Sequence, residues 1–313
     1  MREWDYKSKK ITDKLGGKFI GEKMDVVIRD VSTIDYPLNH TMLFTTKTKW
    51  KAENSERLNS IKDCFIIIEE EIALKGLELC KKNNNIISTN NSRLYFAKAL
   101  SIIINEKEIK REYKTIGNNI VIGENAFIGV GGTIEPFVFI DNDVKIGNNV
   151  QIKSGAKIMK NSTIEDNVII GENSIIGAQG FGLERDIDGR TIRIPHIGGV
   201  NIGRGSEIGA LSSIVAGTIE PTIIEKNCFI DDLCHIAHNC IIEEGTMITA
   251  CSELSGSVKI GKNSYISPNA TIRNGISLGA DSFVGQASSV QKSFAPRSNL
   301  VGNPAREYIR KKI

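Results

Sequence analysis

Every sixth residue is aliphatic along most of this chain. Ile116, Ile122, Ile128, Ile134, Ile140, Ile146, Ile152, Ile158, Ile164, Ile170 and Ile176 form an unbroken run. Ile202, Ile208 and Ile214 follow a gap, and then come Ile224, Ile230, Ile236, Ile242, Ile248, Leu254, Ile260, Ile266, Ile272, Leu278, Val284 and Val290. Neither the helical period near 3.6 nor the strand period of 2 produces this spacing. A period of six is the mark of a parallel β-helix, in which each hexapeptide makes one short strand and one corner of a triangular prism. The aliphatic points at the prism axis, three hexapeptides close a coil, and about eight to nine coils follow from the length of the runs. The position two before each aliphatic also faces inward and must be small or slender. Ala126, Gly132, Val138, Val144, Val150, Ala156, Ser162, Val168 and Ser174 meet that demand. Gly and Asn after many aliphatics, as in Ile146-Gly147-Asn148, suit turns with unusual backbone angles. The expected fold is mainly β: a left-handed parallel β-helix with a small N-terminal α/β domain and a short C-terminal helix.

Composition excludes several function classes. The net charge of +3 and the lack of a Lys/Arg block argue against nucleic acid as a partner. No apolar stretch is long enough for membrane insertion. Met1-Arg2-Glu3-Trp4-Asp5 has neither an apolar signal core nor a cleavage site, which predicts a cytoplasmic protein. The abundance of Ile, Asn and Lys reads as codon bias. Cys228, Cys234 and Cys240 stand six apart, each two before an inward Ile, and so fall on successive prism faces as small core fillers. Zinc needs convergent ligands, and this spacing does not supply them.

Residues 1–112 lack the period. Helices are expected around Ser8–Leu15, Leu74–Lys82 and Leu94–Ile104, and strands at Asp25–Ile28, Met42–Thr45 and Cys64–Ile68. Such a domain covers an open solenoid end. Residues 113–293 form the β-helix. Its register breaks twice, between Ile176 and Ile202 and between Ile214 and Ile224, so segments loop out of the prism. The first excursion, within 178–199, carries a hairpin turn at Asp188-Gly189. Residues 294–313 leave the repeat through Pro296 and Pro304, with a basic helix expected at Ala305–Lys312.

The chain has four histidines, and three of them, His196, His235 and His238, fall in the first interruption or in one coil. His235 and His238 flank inward Ile236 and so lie outside the core. A neutral imidazole suits a general base that takes a proton from an attacking amine or hydroxyl. As a metal pair the two point apart, so no metal is expected.

Gly177-Ala178-Gln179-Gly180-Phe181-Gly182, Ile194-Pro195-His196-Ile197-Gly198 and Ile236-Ala237-His238-Asn239 resemble, in order and spacing, the UDP-3-O-acylglucosamine N-acyltransferase family of lipid A synthesis. Asp30-Val31-Ser32-Thr33 and the aromatics Phe44 and Trp50 look like that family's nucleotide-binding domain. The resemblance implies a homotrimer with active sites between prisms and His238 as general base. It implies Phe44 and Trp50 stacking on the nucleotide base, and Phe181, His196, His235 and Asn239 at the substrate. The chain departs from the family at Val215-Ala216-Gly217, where the lipid enzymes carry Asp-Arg-Gly. It departs again at His235, which stands in place of a glutamine, and near Gly275, where a second histidine is replaced. It also stops soon after Val301-Gly302-Asn303-Pro304-Ala305-Arg306, a motif resembling the terminus of acetyltransferases that use coenzyme A. The lipid enzymes instead continue into a helical extension associated with acyl carrier protein.

The favoured reading is therefore an N-acyltransferase moving a short acyl group, acetyl to hydroxybutyryl in type, from acyl-CoA to the amine of a nucleotide-linked amino sugar. The dTDP-4-amino-4,6-dideoxyglucose of anthrose-type glycan synthesis fits this reading. Gly256, through its backbone N–H, and Arg273, Lys292 and Arg297 are expected on the coenzyme side. The alternatives are the lipid A enzyme itself, using acyl carrier protein, and a noncatalytic β-helix scaffold.

Overall fold

A computed structural model describes residues 4–70, 72, 77–107, 113–116 and 119–307. The chain divides into two compact units, Met1–Ile109 with Phe181–Pro195, and Lys110–Gly180 with His196–Ile313.

The second unit is a left-handed parallel β-helix. Among the described residues its strands stack into three sheets of 8, 10 and 10 strands. The first sheet begins at Phe127–Ile128, the second at Thr133–Ile134, and the third contains Ile120–Gly123 and Phe139–Ile140. Pairing is parallel and in register, so that Ile146 lies beside Ile164 and Ile236 beside Leu254. The inward aliphatics from Ile140 to Val290 are buried in one continuous core, with Val138, Val144, Val150, Ala156 and Val168 filling the gaps between them. Ser162 and Ser174 are buried at the same position, whereas Gly132, in the first coil, is exposed. Each buried isoleucine contributes about 1.5–3 kcal/mol. Replacing Ile242 by alanine is expected to cost about 2–5 kcal/mol, read as a lower midpoint in urea unfolding.

The corners give Asn a structural task. Left-handed backbone recurs three residues after the inward aliphatic, at Asn149, Asn167, Asn227, Asn239 and Asn263, with φ between 55° and 59°. Asparagine tolerates this conformation better than most residues. Its abundance, like that of the inward Ile, thus serves the repeat, and codon bias is not needed to explain it. The expected turn at Gly147-Asn148 is likewise displaced, because Asn149 carries the positive φ. Gly147 is there for clearance: a Cβ would stand 2.5 Å from Asp166 Oδ1 and 2.7 Å from its backbone nitrogen.

Cys228, Cys234 and Cys240 are buried in the prism core as fillers, and burial pushes their thiols up to about 11, 11 and 12.

The repeat runs further than its aliphatic period. Asn299–Val301 adds a parallel strand beside Phe283–Val284, and Arg306–Glu307 turns back antiparallel to it. Of the helix expected over Ala305–Lys312, Ala305 lies instead in a turn and Arg306–Glu307 in a strand, and residues 308–312 lie outside the described residues.

The first unit holds a five-stranded sheet in the order Lys18–Phe19, Asn85–Thr89, Phe65–Glu69, Thr41–Thr45 and Asp30–Val31, parallel except for the first strand. Helices form at Ser8–Leu15, Glu53–Asn59, Glu78–Asn83 and Ser92–Glu106. The expected helix Leu74–Lys82 begins at Glu78, with residues 74–76 outside the described residues. The long helix is capped by Asn91, whose Oδ1 accepts from the Leu94 N–H at 2.9 Å, and it packs Phe96, Leu100 and Ile103 inward.

The first excursion is a hairpin, Leu183–Arg185 against Thr191–Arg193, with Gly189 at φ 76° in its turn. It belongs to the first unit, where Arg93 meets Glu184 and Lys98 meets Asp186, each at 2.6 Å.

Candidate active site

The two register breaks meet at one edge of the prism, where the third sheet turns into the first. The chain returning at Ile197–Gly199 pairs with the second break. Ile197 N–H donates to Thr218 O at 3.0 Å, Gly198 N–H to Gly217 O at 2.8 Å, and Thr222 N–H to Gly199 O at 3.2 Å. Val215 and Ala216, at the family's Asp-Arg positions, are buried apolar residues here.

Asn239 ties this platform to His238. Its Nδ2 donates to Glu220 O at 3.1 Å, which fixes the orientation of the amide. Its Oδ1 accepts from Thr218 N–H at 3.2 Å and Thr218 Oγ1 at 2.9 Å, and lies 3.1 Å from His238 Nδ1. An amide oxygen can only accept, so this contact places an imidazole proton on Nδ1, and in the neutral ring Nε2 keeps its lone pair. That edge of the ring faces Gly256, where a Cβ would stand 2.6 Å from both Nε2 and Cε1. Beside the expected place at the substrate, the Asn239 amide holds His238.

Gly256 is buried one coil beyond His238. At the equivalent corner position elsewhere, a side-chain oxygen usually caps the N–H. Asn148 N–H donates to Asp166 and Ala210 N–H to Asp232, each at 2.7 Å, and Glu244 N–H donates to Glu225 at 2.9 Å. Among the described residues, nothing caps the Gly256 N–H in this way.

His196 is 3% exposed, and its ring meets His238 edge to face, centroids 5.1 Å apart and planes inclined by 63°. Gln179 grips its backbone, accepting from the His196 N–H at 2.9 Å and donating to its carbonyl at 2.8 Å. His235 sits outward on the third sheet, exposed, between Ser213 and Glu253 of the neighbouring coils.

The coenzyme-side residues separate. Arg273 and Lys292 are exposed on the same edge as His238, two and three coils on. At about 4.8 Å per coil, Lys292 lies roughly 14 Å along that edge from His238. Arg297 does not join them, because its N–H bonds Ala280 O at the edge between the first and second sheets. Phe181 belongs to the first unit, 78% exposed, with the Arg193 guanidinium 5.5 Å from its ring centre. Phe44 and Trp50 are also kept apart. Phe44 packs on Phe96 of the long helix at 4.7 Å, while Trp50 packs with the cluster of Leu43, on the opposite face of the sheet. The expected pair of stacking rings is thus not assembled. No group of metal-ligating residues occurs among the described residues, and no helix among them is long and apolar enough to cross a membrane.

Sequence reasoning named Gln179, Gly180 and Asn239 only as motif residues, and it missed Thr218 and the structural tasks of all four. Gln179, Gly180 and Thr218 lie within the register breaks, and Asn239 lies beyond the second.

Repeat and edge together define a hexapeptide-repeat β-helix protein. The profile of the bacterial transferase hexapeptide matches residues 150–179 and 221–256, and that of the hexapeptide repeat of succinyl-transferase matches 116–154 and 257–286. The chain resembles curated UDP-3-O-acylglucosamine N-acyltransferases. That of Pseudoalteromonas translucida (strain TAC 125) is 43% identical over 79 residues, 25% of this chain and 23% of the relative. That of Coxiella burnetii (strain Dugway 5J108-111) is 44% identical over 80 residues, 26% of this chain and 23% of the relative. The matches therefore span about a quarter of these relatives' length. Among solved structures, the UDP-N-acetylglucosamine acyltransferase from Campylobacter jejuni superposes with a TM-score of 0.54 at 29% identity, over 60% of this chain and 72% of that one. The one from Bacteroides fragilis 9343 gives 0.57 at 25% identity, over 62% and 73%.

Proposed function

We propose that this protein transfers a short acyl group from acyl-CoA to the amine of a nucleotide-linked amino sugar, of which dTDP-4-amino-4,6-dideoxyglucose is the preferred candidate. The observation that carries the reading is the His238 imidazole, with Nδ1 held by Asn239 and Nε2 facing buried Gly256, whose N–H is capped by no described residue. The names of the relatives, acyltransferases of UDP-sugars, point the same way.

The sugar amine attacks the thioester carbonyl while its proton passes to His238 Nε2. The carbonyl oxygen, now negative, is stabilised by the Gly256 N–H. The C–S bond then breaks, and the departing thiolate takes the proton back from His238, leaving amide and free thiol. Asn239 stabilises the transient imidazolium through Nδ1–H without itself changing charge. Arg273 and Lys292 supply positive charge along the edge for the coenzyme phosphates, and the motif Val301–Arg306 supports coenzyme A as donor by its resemblance. The test is thiol release from acetyl- or hydroxybutyryl-CoA with dTDP- and UDP-amino sugars, alongside the same acyl groups on acyl carrier protein. Release with no amino sugar from either donor overturns the reading, and release from the carrier protein alone overturns the coenzyme.

The reading includes a homotrimer. Phe229, Met247, Tyr265 and Phe283 project from the second sheet on successive coils, 39–46% exposed, with Tyr265 and Phe283 stacked at 5.9 Å. Leu211 and Leu233 are exposed at the adjoining edge. A continuous apolar strip of this kind suits burial against another copy. Tyr265→Glu combined with Phe283→Glu is expected to convert the oligomer to monomer in light scattering. An unchanged mass would exclude this face.

A further inference from the structure

We infer that His196 is a positioning residue that holds the His238 imidazole in its productive orientation. The inference rests on His238 being the base of the reaction proposed above. Four observations combine. His196 is 3% exposed, so its ring presents almost no surface to a substrate, against the expectation that it binds one. Its ring instead abuts that of His238, with centroids 5.1 Å apart. Its backbone is gripped on both sides of the peptide by Gln179, and the next residue is tied to Thr218 and to Asn161, whose Nδ2 donates to Ile197 O at 3.1 Å. Finally, Gly180 leaves room for the ring: a Cβ there would stand 2.5 Å from His196 Cδ2.

His238 needs such a support. It occupies a corner position and is only half-buried, so the Nδ1 contact with Asn239 alone leaves its ring free to swing toward solvent. The edge-to-face contact with a fixed aromatic ring restrains that motion. Thr218 links the two supports, because it receives the Ile197 N–H and donates to the Asn239 amide oxygen. The two register breaks thereby hold one imidazole from two sides.

The experiment uses full-length protein labelled with [15N]histidine, whose four histidines give a simple spectrum. Wild type, His196→Ala, His196→Phe and Gly180→Ala are compared at alkaline pH, where imidazoles are neutral. Wild type and His196→Phe should show His238 as a single Nδ1–H tautomer, since the phenyl ring preserves the contact. His196→Ala and Gly180→Ala should show a mixture, with kcat for acyl transfer lower by up to about 10²-fold and KM for the amino sugar unchanged. An unmixed tautomer in both His196→Ala and Gly180→Ala would falsify the inference. So would a raised KM at full kcat in His196→Phe, which marks a substrate contact. Lack of acyl transfer in wild type would instead overturn the acyltransferase reading, leaving the tautomer comparison to judge His196 by itself.

Discussion

Replacing His238 by alanine is expected to lower kcat for acyl transfer by about 10²–10⁴-fold, with little change in KM for the nucleotide sugar. The loss is confined to chemistry because the side chain lies outside the core. Ile236 and Cys240, which flank it, keep their burial, so stability should move by no more than about 0.5 kcal/mol. His238→Gln should not restore activity. A glutamine amide can still donate toward Asn239, but it offers no basic nitrogen to the amine. Thiol release under saturating amino sugar is the measurement. A decrease smaller than about tenfold would mean that the amine arrives already neutral and that the site works by positioning.

Gly256→Ala is expected to be nearly as damaging by a different route. The new methyl would stand 2.6 Å from His238 Nε2 and Cε1, and the ring must leave that space. Gly256 has ordinary backbone angles, so alanine adds no conformational strain there. Activity should therefore fall about 10²-fold while the melting temperature stays near that of wild type. Gly275, one coil further along the same edge, makes the contrast. Its φ is 74° and a Cβ there meets nothing within 4 Å. Alanine at Gly275 should cost about 1 kcal/mol of stability and leave turnover intact. If Gly256→Ala keeps full activity, the glycine is not needed for clearance around the base.

The prism was legible because each hexapeptide encodes its own corner and inward residue, with no long-range information needed to read it. The same locality made Cys228, Cys234 and Cys240 readable as fillers and Asp188-Gly189 as a turn. Where residues meet through non-local contacts, the linear pattern was silent. The His196–His238 pair joins a residue inside the first register break to one beyond the second, and only folding brings them together. Phe44 and Trp50 were paired through the family resemblance, yet strand alternation puts Phe44 on the face opposite Leu43, and Trp50 packs with the cluster of Leu43. The strand Asn85–Thr89 was not read from the sequence, because only two of its five residues, Ile86 and Ile87, are apolar. The strand at Asn299–Val301 was missed because the preceding corner departs from the six-residue count. Phe294 bridges to Leu278 two residues short of the usual interval of 18.

In-register stacking also makes the molecule a graduated scale. Side chains on one edge can be moved relative to His238 only in whole coils, about 4.8 Å at a time. A length change that keeps every downstream residue on its own face must come in multiples of three hexapeptides, unless it loops out as the two interruptions do. Reach along the edge and integrity of the core are thereby separable in evolution. Inserting or deleting a full coil between Asn274 and Lys292 would lengthen or shorten that reach by one graduation while leaving the geometry around His238 untouched.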